Sequence, residues 1–299
     1  MSAPALDVLY VPVALWGASG LALVAAMRRS TPRVVLRLAS GFTALWALLA
    51  TTVFLWVLSH GGWSAIAALV RSPLLLLSPA ALPTWVAGVV GVLVVFSAAF
   101  WLNQLVGRAF LVLWRPQPLR WPQGLPRPEG DVRLLAIPDA RLQAFSFALL
   151  GLREGSRWRA HRQEVILLSR GLLDFLSPAE IEAVVAHELG HLKDLDARYL
   201  TFLRTLARMM RWDPVLGYVA WRLSRHEEYS ADDEAVRITR APLPLARALY
   251  KVLVAPGPPV PGSLALVGPS RTRRGRRDAL RRIQRLIEMY ESVSGVPGV

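Results

Sequence analysis

Ser177-Pro178-Ala179-Glu180-Ile181-Glu182-Ala183-Val184-Val185-Ala186-His187-Glu188-Leu189-Gly190-His191 is the stretch on which the reading of this chain turns. Ser177 can cap a helix, Pro178 suits its first position, and Glu180, three residues after the cap, completes a capping box. The helix so started is expected to run to about Leu195. On it, His187 and His191 stand at i and i+4, so both imidazoles lie on one face a turn apart and can reach one metal ion. Glu188 is one step round and can face a metal-activated water without ligating. With five histidines in 299 residues, an accidental H-E-x-x-H is expected only roughly 0.003 times. An ordinary amphipathic helix has no reason to turn two histidines and an acid towards its core.

Catalytic zinc sites use three protein ligands, so a third must come from elsewhere. Downstream stands Arg225-His226-Glu227-Glu228-Tyr229-Ser230-Ala231-Asp232. Either Glu227 or Glu228 could ligate. Glu228 has Asp232 at i+4, where a carboxylate can accept the second ring N–H of a ligating histidine, whereas Glu227 has Ala231 there. Spacing therefore selects Glu228 as ligand and Asp232 as the carboxylate behind His187. Arg222, Arg225, Glu227 and Arg237 read as solvated charge pairs on the same helix.

Around this core the composition is unusual: 54% hydrophobic, 19% charged, formal charge +14 and no cysteine, with mean hydropathy +0.37. Such a chain is too apolar to be disordered or to be an average soluble enzyme. The absence of cysteine excludes disulfides, thiolate metal clusters and a cysteine nucleophile, so any metal must be held by His, Asp or Glu. Leu9 to Met27 and Leu38 to Leu58 carry no charge and are long enough to cross a bilayer. Only Asp7 precedes the first run and Arg28, Arg29 and Arg33 follow it, so it is expected to be retained rather than cleaved as a signal peptide. Ser72 to Gly107 is also uncharged, but Pro73, Pro79 and Pro83 place its helix at 84–106 and leave 64–82 as a loop touching or dipping into the interface. Arginines follow spans one and three, which puts the amino terminus outside and the remainder in the cytoplasm.

The expected organisation is a membrane region at 1–110 with spans at 9–27, 38–58 and 84–106, a Pro/Arg-rich linker at 111–130, and a cytoplasmic domain at 131–299. In that domain Val132 to Ile137, Ala144 to Leu150 and Glu164 to Ser169 read as strands, and Thr201 to Met210 and Pro214 to Thr239 as helices. Pro256 to Gly262 breaks the chain, and Arg276 to Glu291 reads as an amphipathic basic helix burying Leu280, Ile283, Leu286 and Ile287. Its arginines suit anionic lipid headgroups, and no recognition motif accompanies them to suggest nucleic acid.

His187-Glu188-Leu189-Gly190-His191 with Lys193 and Asp196, followed by Glu228-Tyr229-Ser230-Ala231-Asp232, resembles the HtpX-like membrane metalloproteases, relatives of the CaaX prenyl-protein endopeptidases. Leu172-Leu173 ahead of Ser177 matches the lead-in of that family, and Trp212-Asp213-Pro214 is similar to the BlaR-type sensor peptidases. The resemblance implies a mainly α fold: transmembrane helices followed by a mostly helical zincin domain of the gluzincin type with a small β-sheet. It implies one zinc ion on His187, His191 and Glu228, with Glu188 as general base. Two departures stand out. The family's Asn-Ala-Phe-Ala strand reads Gln143-Ala144-Phe145-Ser146 here, and the interval 192–227 contains Arg204, Arg208, Arg211 and Asp213, which argue against a further full span and for a hairpin lying on the bilayer.

The chemistry then expected is hydrolysis of peptide bonds in membrane, hydrophobic or misfolded proteins at the inner membrane of the cell. Ala144, Phe145 and Ser146 would form a sheet edge that binds the substrate as an added strand. His226, Tyr229 and Arg237 are candidates to complete the oxyanion site, while His161 and His60 read as structural or remote. Two rivals share the metal site. In one, the spans sense a signal and the protease cuts a single regulator, against which the short loop at 60–82 argues. In the other, a scaffold holds a purely structural metal, for which Glu188 would have no use.

Overall fold

The computed structural model describes Leu48, Thr52, Leu55, Ser59, Pro79 and residues 82–151, 161–193, 214–255 and 273–294. The span expected at 9–27 and the helix expected at 201–210 lie outside these residues, as does the chain break at 256–262. Of the span expected at 38–58, Leu48, Thr52 and Leu55 are described, and all three are helical. The chain divides into two compact units, residues 1–102 with 199–223, and residues 103–198 with 224–299.

Helix α1, Leu82–Trp114, begins at the last of the three prolines and contains no further one before Pro116. It ends where Arg115 takes a positive φ of 42° and Pro116 cannot continue the helix. The helix is thus longer than the span expected at 84–106 and takes up the first residues of the expected linker, because Arg108 is a good helix former and nothing in 107–114 breaks the backbone pattern. In the first unit, Gly88 lets α1 approach Thr52 so closely that an added Cβ would lie 2.4 Å from the threonine hydroxyl. Along its length α1 exposes Val86, Val90, Leu93, Val94, Leu102 and Leu105. Among the described residues no helix is long and apolar enough to cross a membrane; the side chains at 92, 95, 96, 99, 100 and 103 of α1 lie outside that set.

The second unit is built on a four-stranded sheet of order β1-β2-β4-β3, with β1 at Gln117–Pro118, β2 at Asp131–Ile137, β3 at Ala144–Gly151 and β4 at His161–Ser169. Strands β2 and β4 are parallel, with Leu134 opposite Ile166, whereas β3 and β1 run antiparallel to their neighbours. Strand β1 lies in the stretch expected to be a linker. A two-residue edge strand ending in proline has no alternation to betray it, and proline is tolerated because its missing N–H would face outward. Val165, Ile166, Leu167 and Leu168 of β4 are fully buried, as a central strand covered on both faces must be. One face packs Ile137, Phe145, Val165 and Leu167 under Phe110 and Trp114 of α1. The Phe110 and Phe145 rings meet edge-on at 5.3 Å. The other face puts Leu134, Ala144, Ile166 and Leu168 into the main core.

That core is completed by helices. Ser169 caps α2, Arg170–Phe175, a short helix the sequence reading did not include, by accepting from the Leu172 N–H. Helix α3, Pro178–Lys193, starts with the capping box: the Ser177 hydroxyl accepts from the Glu180 N–H at 3.4 Å, and Glu180 accepts from the Ser177 N–H at 2.8 Å. Helix α4 covers Pro214–Thr239. Arg240 reverses the chain with φ 55°, and α5, Pro242–Val254, follows, also absent from the sequence reading. Helix α6, Arg273–Ser294, buries Ile283 and Leu286 as expected, but not the other two residues of the expected stripe. Leu280 is 45% exposed and Ile287 39%, whereas Ala279, Arg282, Ile283 and Leu286 are buried. The helix is rotated because Arg282 has buried carboxylates to meet.

Candidate metal centre

Helices α3 and α4 cross at two small residues. A Cβ added to Gly190 would lie 2.8 Å from the Ala231 Cα and 3.1 Å from its carbonyl oxygen. Neither neighbour is a flexible side-chain end, so only glycine permits this approach, which sets His187 and His191 opposite Glu228 and Asp232. The imidazoles meet edge-on with ring centroids 4.7 Å apart. Their Nε2 atoms are 3.2 Å apart, and His187 Nε2 lies 3.7 Å from Glu228 Oε2. His187, His191 and Glu228 each offer one donor atom, all within 4.8 Å of one another. Ligands at zinc bond lengths in a tetrahedral site are separated by about 3.3 Å. The donor chemistry and spacing therefore fit a zinc ion.

Carboxylates back both rings on the side away from this convergence. Asp232 Oδ1 is 3.1 Å from His187 Nδ1, though the contact is off-line and Nδ1 has no well-formed hydrogen bond. Glu227 Oε1 is 3.8 Å from His191 Nδ1. Glu227 is only 8% exposed, which corrects its assignment to a solvated pair: it faces α3 because the crossing at Gly190 turns this part of α4 inward. Burial works against charge on His191, but Glu227, then Glu228 and Glu188, outweigh it and raise its pKa to about 9.

The sequence reading placed Arg282 in a lipid-facing tail; it is instead 4% exposed and closes the site from α6. Its Nε and Nη2 donate to the two oxygens of Asp232, both at 2.7 Å, and its Nη1 donates to Glu228 Oε2 at 2.7 Å. Burial disfavours charge on both acids, yet the guanidinium more than offsets this and holds Glu228 and Asp232 below the usual carboxylate range. An arginine in line with Ala279, Ile283 and Leu286 was the one available signal, since a cation on an apolar helical stripe needs a buried anion.

Glu188 is buried beside the histidines. Its Oε2 accepts a 2.7 Å hydrogen bond from the Ser146 hydroxyl on β3. Ala144, Phe145 and Ser146 open that strand, which is an edge of the sheet. The Gln143 carbonyl accepts from the Ser169 N–H, so odd-numbered β3 residues bond to β4 while Ala144, Ser146 and Ala148 turn their N–H and C=O outward. The Ala148 carbonyl is met by Gln104 Nε2 at 3.5 Å. Gln143, which stands where the resembled family has asparagine, points away and donates to Asp139 Oδ2 at 2.8 Å.

The oxyanion candidates fare differently. Tyr229 accepts from Arg225 at 2.9 Å and is flanked by Arg225 and Arg285, each 5.3 Å from its ring centroid. Arg237, its side chain 65% exposed, pairs with Glu234, and His226 is exposed on α4. His161 pairs with Gly151, five steps along the ladder from Ser146, or about 17 Å.

Residues 158–287 match the model of Peptidase family M48. Among curated relatives, Protease HtpX homolog 2 of Methanosarcina mazei is 35% identical over 162 residues, 43% of this chain and 50% of that protein. Protease HtpX homolog of Dictyoglomus turgidum is 30% identical over 125 residues, 30% of this chain and 41% of the relative. Protease HtpX homolog of Syntrophobacter fumaroxidans is 26% identical over 247 residues, 62% of this chain and 82% of the relative. The chain thus spans about half the length of the first two of these relatives. The matched stretch contains both histidines, Glu188, Glu228, Asp232 and Arg282, so the part of the chain that carries the site is similar to peptidase family M48 and to the HtpX homologues.

Proposed function

We propose that this chain is a membrane-tethered zinc endopeptidase acting on membrane, hydrophobic or misfolded proteins. The observation that carries the reading is the convergence of His187, His191 and Glu228 on one point with a non-ligating acid, Glu188, buried beside it. When bound, zinc supplies Lewis acidity, lowering the pKa of a water to about 7 and polarising a carbonyl. Asp232 and Glu227 favour the ring tautomers that leave both Nε2 lone pairs free to ligate. Glu188 accepts a proton from the attacking water and delivers it to the leaving amine nitrogen as the C–N bond breaks. The outward groups of Ala144 and Ser146 hold the substrate backbone as an added strand, and Gln104 at Ala148 ends that open edge.

Anchoring at an inner membrane through spans at 9–27, 38–58 and 84–106, with the metal site cytoplasmic, is supported by the uncharged runs, the arginine distribution and the apolar side chains α1 exposes. The test uses the full purified chain in detergent with zinc and β-casein as a generic unfolded substrate. Glu188→Ala should lower cleavage by roughly 10²–10⁴-fold while zinc content by mass spectrometry stays at one per chain. Undiminished cleavage by the variant, or no zinc in the reconstituted wild type, would overturn the proposal.

A further inference from the structure

We infer that Ser146 is a positioning residue for Glu188, linking the strand that holds substrate to the carboxylate that moves the proton. This rests on the peptidase reading and deepens it. Successive β3 side chains alternate between faces. Phe145 packs on the α1 side, so Ser146 faces α3, where its hydroxyl is 2.7 Å from Glu188 Oε2 and 3.3 Å from the Glu188 carbonyl oxygen. One hydroxyl proton serves one acceptor well, and the shorter, charged one takes it. With Oε2 so held, the Glu188 carboxylate loses its freedom to rotate and Oε1 is left to accept the proton of the attacking water.

The backbone of the same residue looks outward, because odd-numbered β3 residues bond to β4. A substrate strand laid on this edge would therefore bond to the residue whose side chain orients the base. Alanine at 146 would form the same strand and the same backbone ladder but offer Glu188 nothing. That separates base positioning from substrate binding.

The experiment compares wild type, Ser146→Ala and Ser146→Thr as full chains in detergent with zinc, using a quenched fluorogenic peptide selected from a β-casein digest. Glu188→Ala is the inactive control. Ser146→Ala is expected to keep its zinc and its KM within about twofold while kcat falls on the order of 10-fold, the usual effect of one charge-assisted hydrogen bond. Ser146→Thr should recover most of kcat. In metal-free protein, the Glu188 carboxylate stretch, isolated by infrared difference against Glu188→Gln, should shift in the alanine variant and return in the threonine one. An unchanged kcat in Ser146→Ala, a change confined to KM, or a threonine variant no better than alanine in both readouts would refute the inference. A wild type that cleaves no faster than Glu188→Ala would sink the peptidase reading, and this inference with it.

Discussion

Replacing Arg282 by methionine removes the guanidinium that bridges Asp232 and Glu228. Three charge-assisted hydrogen bonds of 2.7 Å go with it, two to Asp232 and one to Glu228. Asp232 is 1% exposed, so water cannot take the place of the lost donors. Breaking one side of a buried ion pair costs about 3–5 kcal/mol, because the surviving charge stays desolvated. For a unit of this size that corresponds to a melting temperature lower by roughly 6–20 °C. The measurement is thermal unfolding of the full chain in detergent with chelator present, so that metal binding does not mask the effect. Arg281→Met is the control: its side chain is 58% exposed and 3.8 Å from Asp278, and its loss should cost no more than about 0.5 kcal/mol. Arg282→Lys keeps the charge but not the planar fork, and should fall between the two. Pairing Arg282→Met with Asp232→Asn should be milder than the sum of the two changes by at least about 1 kcal/mol. If Arg282→Met melts with Arg281→Met, the guanidinium does not hold the site together and the account of α6 is wrong.

Gly190→Ala places a methyl group 2.8 Å from the Ala231 Cα, so α3 and α4 must separate. Chelator competition should show zinc affinity weakened by about 10-fold or more, and wild-type affinity would mean that the crossing does not set the ligand spacing. Glu234 is held by Arg237 and Lys193, which together lower its pKa from 4.5 to about 2. A depressed carboxylate stabilises the fold fully above its unfolded value and loses that contribution as pH falls through the folded one. The stability gap between wild type and Glu234→Gln should therefore be full above pH 4.5 and close on titration towards about pH 2. A gap constant across that window in chemical unfolding would contradict the pairing.

What could be read in the sequence was what helix geometry fixes locally. The capping box at Ser177 starts α3, and the i, i+4 spacings of His187 with His191 and of Glu228 with Asp232 follow from 3.6 residues per turn, wherever the helices lie. The three longer strands were visible through their β-branched and alternating residues. Helices α2 and α5 were not: α2 has six residues, too few for a period to show, and α5 follows α4 after only two residues, so the two ran together although Pro242 and Pro244 mark where the second begins.

The chain by itself determined which groups could do chemistry, because a metal needs particular donor atoms and a helix presents them at a fixed interval. Three contacts were settled only by the packed structure. Glu227 turned inward to His191, Arg282 left the basic tail for two buried acids, and Ser146 spent its hydroxyl on Glu188. Each depends on how one element is rotated against another. That rotation is set by the close approach at Gly190 and by which α6 stripe fills the core, and no local spacing encodes either.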